Sequence, residues 1–160
     1  MHEWERQVVP GELNCGIVEI DQEKRQLIAA IDELQAMCKE VDLRNPRGEQ
    51  SGVETPSHRP LDALLTDLMN LIFDHALEEE QLMKSVGYSK HQTHAYERHV
   101  EDHADIAERL ASIIVELEES SSVARVRSLL SLTHRWANEH IRDHDIPFAE
   151  YFHTAGELRS

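Results

Sequence analysis

Six residues stand at metal-ligand spacings along three stretches of this chain: His75 and Glu79, His99 and His103, His140 and Asp145. A helix repeats every 3.6 residues, so side chains four apart stack on one face and can close on a single ion. Imidazole together with carboxylate suits iron, zinc or manganese. The pattern contains no evident acid–base pair for turnover, so the chemistry it offers is metal coordination.

The elements that must position these residues read as helices. Residues 1–17 carry Pro10, Gly11 and Gly16 and form an extended arm, with Trp4 packing on the fold. From about Ile17, apolar residues recur at three and four: Ile20, Leu27, Ile31, Leu34. Residues 41–60 are polar, with three prolines and two glycines, and read as a loop. Leu61, Leu65, Leu68, Met69, Ile72, Leu82 and Met83 mark a second helix, with Gly87 just past its end. Ile106, Leu110, Ile113, Ile114 and Leu117 mark a third, and the serines at 120–122 a turn and cap. Val126, Leu129, Leu130, Thr133, Trp136 and Ala137 mark a fourth, which Pro147 ends or kinks. Phe148, Tyr151 and Phe152 then cover one end.

The expected fold is all-α: a single domain over residues 1–160, an up-down-up-down antiparallel four-helix bundle with an N-terminal extended arm. The candidate ligands fall late in helix two, early in helix three and late in helix four. In an antiparallel bundle these places share one end.

Composition narrows the function classes. The 160 residues include 31 acidic and 16 basic side chains, a net charge of −15. Such a surface repels phosphate backbones, which excludes nucleic acid and anionic membranes as partners. Cys15 and Cys38 have neither CxxC nor finger spacing and suit a reducing compartment. With no export signal and no apolar run long enough to span a bilayer, the chain reads as a soluble cytoplasmic protein. Oligomeric state is not legible.

Each ligand pair has a plainer reading. His75 and Glu79 continue the leucine row 65, 68/69, 72, where an unpartnered buried carboxylate would cost several kcal/mol; the plain alternative is a surface ion pair. Glu78 and Glu80 read as solvent-facing. His99 and His103 prolong the stripe from Leu117 back through Leu110 and Ile106, and would otherwise be core histidines with satisfied bonds. His91 and His94 read as loop or surface. After His140, spacing alone makes His144 the natural partner, because Asp145 at i+5 lies roughly 140° around an α-helix; the two remain open on physical grounds. Met69, Met83 and Trp136 read as core packing, and Glu116–Glu119 as a solvated helix end.

Gly16 to Leu34, the HxxxEExLM of HALEEEQLM, the following Gly-Tyr, the pair in HVEDH, and WxxxHIxxxD in WANEHIRDHD together resemble the hemerythrin family. The resemblance spans Trp4 to about Phe152 and looks like a bacterial hemerythrin-like domain. It implies two non-haem iron ions, with His75, His99, His103 and His140 as terminal ligands, Glu79 and Asp145 as bridges, and O2 bound at an open iron position. It thereby favours Asp145 over His144. The chain departs from the family in two places. The stretch between Glu79 and the His99/His103 pair is about five residues longer. The family's helix-one motif, IDxxH, here reads Ile20-Asp21-Gln22-Glu23-Lys24, so a lysine stands at the position of a histidine ligand.

Both 23 and 24 are possible steps from Ile20 to Leu27. We expect Glu23 to turn inward as a replacement oxygen ligand, the alternative being that Lys24 snorkels to solvent with Glu23 beside it. The expected function is reversible binding of O2, or another diatomic such as NO, for storage, delivery or sensing. The rival is an oxidase- or peroxidase-type enzyme with a carboxylate-richer site. A third possibility is an altered site that holds one metal or none.

Overall fold

A computed structural model describes residues 15–44, 61–119 and 123–159. Trp4, the 120–122 turn and residues 45–60 of the expected loop lie outside the described residues. Among those described, nearly all are helical and none lies in a strand. The helices are α1 (Val18–Arg44), α2 (Leu61–Ser85), α3 (Tyr88–His91), α4 (Thr93–Glu119), α5 (Val123–Arg135), a π-helical stretch (Trp136–Asp145) and α6 (Ile146–Arg159). None of them is long and apolar enough to cross a membrane.

Two boundaries differ from expectation for local reasons. Helix α1 takes in residues 41–44, because VDLR contains no breaker and the first proline is Pro46, which biases only Asn45 away from helix. The expected fourth helix is divided into α5, the π stretch and α6. Pro147 has no N–H and its ring would clash with an α-helical carbonyl four residues back. Just before it the backbone widens, and the Ile146 N–H donates to Ile141 O, five residues earlier.

At its start, α1 is fastened by Asp21, whose carboxylate accepts from the backbone N–H groups of Cys15 (2.8 Å) and Gly16 (2.9 Å). At the end of α2, Gly87 adopts φ 80°, and its N–H donates to Lys84 O at 3.2 Å. A Cβ there would meet the His91 ring at 3.2 Å, on a backbone that L-residues avoid. Gly87→Ala is therefore expected to destabilise the fold by about 1 kcal/mol, read as a lower urea midpoint at unchanged slope.

Helix α1 packs against α2 and α5, α2 against α4, and α4 against α5. The apolar side chains separate into two clusters. The larger joins Leu27, Ile31 and Leu34 of α1, Leu64, Leu68 and Ile72 of α2, Ile106 and Leu110 of α4, and Leu129, Leu130, Trp136 and Ile141 beyond. The smaller joins Ile17 and Ile20, Met83 and Val86, Tyr88, and Phe148 with Ala149. Between the clusters α1, α2, α4 and the π stretch contribute polar side chains that are also buried: Lys24, His75 with Glu79, His99 with His103, and His140 with Asp145. Fully burying one leucine contributes roughly 1.5–3 kcal/mol. The two greasy layers thus fix the helices, and the helices fix the polar layer between them.

Candidate metal centre

Four imidazoles and two carboxylates meet in that layer. Glu79 is fully buried and Asp145 is 1 % exposed. Glu79 Oε1 lies 2.7 Å from His99 Nε2, and Oε2 lies 3.0 Å from His75 Nε2. Asp145 Oδ1 lies 2.9 Å from His140 Nε2 and 3.1 Å from His99 Nε2. The His103 ring stands 4.6 Å, centre to centre, from those of both His99 and His140. Ligand atoms of His75, Glu79, His103, His140 and Asp145 lie within 4.8 Å of one another, so this buried group could hold a metal ion.

Three of the imidazoles are held from behind. His75 Nδ1 donates to Glu23 (3.1 Å), His103 Nδ1 donates to Glu80 (2.9 Å), and His140 Nδ1 donates to Asp102. A carboxylate on Nδ1 fixes the proton there and leaves Nε2 as a lone pair, the arrangement that orients metal-binding imidazoles. On the inner side, the Nε2 atoms of His75, His99, His103 and His140 and all four carboxylate oxygens of Glu79 and Asp145 are buried without a hydrogen bond of proper geometry. Buried polar atoms are ordinarily satisfied. A convergent set of orphans is what a bound cation would satisfy, so the donors present suit a metal.

The charges lead to the same conclusion. Burial alone would lower the His75, His99 and His140 pKa values, but the carboxylates reverse this. Glu79 with Asp145 and Glu23 holds His75 well above the ordinary range, and Asp145 with Glu79 raises His99. Asp145 with Asp102 raises His140 to about 9. Burial and repulsion from His140 and His99 push His103 down to about 2. Burial pushes Asp145 up, and His140, His75 and His99 outweigh it and bring the carboxyl well below its usual range. In the metal-free state, protons on imidazole supply positive charge that a divalent ion supplies better.

The structure brings together His75, Glu79, His99, His103, His140 and Asp145 but not Glu23. That carboxylate is on the outer nitrogen of His75, and Lys24 takes the inward place. Lys24 does not snorkel to solvent: its side chain is 3 % exposed, with Nζ 3.5 Å from Asp145 Oδ2. The signal was present in the sequence, since Ile17, Lys24 and Ile31 repeat at the seven-residue interval of one packed face. Asp145 reaches the centre because residues five apart align along the π stretch. His144 stays half-buried beside Asp102, and His91 and His94 are exposed.

Glu80, expected in solvent, instead supports His103, and Asp102 was missed altogether. Which carboxylate backs which imidazole depends on helix register across the interface, which periodicity along one helix does not encode. Trp136 packs beneath the site, its ring stacked on His140 (5.9 Å, 12°) and edge-on to His75 (5.4 Å). Asp102→Asn is expected to weaken metal affinity about 10- to 100-fold with the helical content unchanged, measured by competition with a chelator.

No family model, curated protein or solved structure matches this chain.

Proposed function

We propose that the chain is a non-haem iron protein of the hemerythrin kind. In this reading it is an up-down-up-down four-helix bundle in which Glu79 and Asp145 would lie between two iron positions, and it would reversibly bind O2, or another diatomic such as NO, in the cytoplasm. The observation that carries the reading is His103: Nδ1 is committed to Glu80, while Nε2 is buried without a hydrogen bond in a group whose ligand atoms, those of Glu79 and Asp145 included, lie within 4.8 Å of one another. His75, Glu79, His99, His103, His140 and Asp145 would hold the metal. Iron, when bound, supplies the Lewis acidity and the electrons that a diatomic requires.

The chain's own residues do the rest. Glu23, Glu80 and Asp102 orient the imidazoles, and the two apolar clusters, with Trp136, keep water out. The cavity bordering His140 measures only about 110 Å³, whereas the grooves of about 570 and 640 Å³ are lined by no residue of the cluster. The enzyme reading relied on Glu23 as an extra oxygen ligand, and Glu23 is engaged with His75 Nδ1 instead. Protein purified anaerobically should contain iron and change its absorption reversibly on addition and removal of O2 or NO. Iron-free protein, or irreversible bleaching with H2O2 turnover, would overturn the proposal.

A further inference from the structure

The two carboxylates face two ways. Glu79 Oε1 and Asp145 Oδ1 address His99 and His140, with the His103 ring against both. Glu79 Oε2 and Asp145 Oδ2 address the other side, at 3.0 and 3.6 Å from His75 Nε2. The first side offers three imidazoles. The second offers one, and the place beside it is taken by the Lys24 ammonium, 3.5 Å from Asp145 Oδ2 and nearly sealed from solvent.

An ammonium has three donors and no lone pair, so it neutralises a carboxylate without ligating a metal. It also repels a divalent ion placed a few ångströms away. Its charge serves Asp145 in the way a second ion would. The neighbouring Glu23 cannot make up the missing ligand, because it lies behind the His75 ring rather than in front of it.

We propose that the Lys24 ammonium stands in for the second metal ion, so the centre takes one ion tightly, on the side of His99, His103 and His140, and a second only weakly. This rests on the metal-binding reading above and specifies how its two positions are filled.

Anaerobic equilibrium dialysis of the full chain against ferrous ion tests the proposal. The wild-type chain is expected to bind one equivalent tightly and a second on the order of 100-fold more weakly or not at all. Lys24→His, which exchanges the ammonium for an imidazole, is expected to bind two equivalents of comparable affinity. Lys24→Met, which removes the ammonium without supplying a ligand, is expected to keep the tight equivalent. Two tight equivalents in the wild-type chain would overturn the proposal while leaving the metal-binding reading intact. So would a helical Lys24→His protein that gains none, or loss of the tight equivalent in a helical Lys24→Met. If Lys24→His does not fold, as judged by circular dichroism, the wild-type stoichiometry and Lys24→Met still decide. Absence of any tight ferrous ion in every variant would defeat the metal-binding reading itself.

Discussion

Asp145→Asn is expected to abolish tight iron binding and to destabilise the metal-free fold by about 3–5 kcal/mol, the usual cost of breaking one side of a buried charge set. Asp145 is 1 % exposed and faces Lys24, His75, His99 and His140 at 2.9–3.6 Å. The amide keeps the shape and removes the charge. That leaves the ammonium and the protonated imidazoles facing Glu79 as the one remaining fully buried carboxylate on the inner side. The exposed neighbour Asp143, paired with Arg142 on the surface, provides the control. Its Asn variant is expected to shift stability by less than about 0.5 kcal/mol. Urea unfolding of chelator-treated protein, with an iron count before treatment, measures both effects. Full iron retention by the Asp145 variant would show that this carboxylate is not a ligand.

Iron should also reverse the pH dependence of stability between about pH 6.5 and 9. In the metal-free chain His75, His99 and His140 are raised, by Glu79 and Asp145 against the opposing effect of burial. A raised pKa contributes stability that is complete below the unfolded value near 6.5 and is lost as pH climbs through the folded value, about 9 for His140. His103, lowered to about 2 by burial and by His140, acts in the other direction. The folded state resists its protonation, so stability falls as pH drops below 6.5. The metal-free protein is therefore expected to be most stable near pH 6–7 and to lose on the order of 2 kcal/mol by pH 9. A metal ion instead requires the imidazoles unprotonated, and its binding releases protons. Loaded protein should hold or gain stability over the same interval. Thermal melts of both forms at three pH values distinguish these outcomes, and parallel curves would contradict the account.

Much of this site was legible in the sequence because the polar residues interrupt rows that are otherwise leucine and isoleucine. His75 and Glu79 follow Ile72, and His99 and His103 precede Ile106; the structure buries all four where those rows lead. Helical content was legible for the same reason. The choice between Asp145 and His144 was not, because it turns on a π stretch, and α-helical geometry assigns the wrong angle to i+5. Nor was the choice between Glu23 and Lys24 resolved by steps of three and four from Ile20, which admit both. The seven-residue interval from Ile17 to Ile31 selects Lys24. Glu80 and Asp102 were hidden for a different reason: each serves an imidazole on another helical segment, at a height set only when the segments pack.

In the proposed reading the inward nitrogens and carboxylate oxygens are orphaned because a cation belongs among them. Anomalous diffraction at the iron edge, on crystals grown from anaerobically purified protein without added chelator, tests this most directly. An iron peak is expected among His99, His103, His140, Glu79 and Asp145, at bonding distance from the imidazole Nε2 atoms. A structure with no anomalous peak there, in which those imidazoles bond to one another or to water, would contradict it.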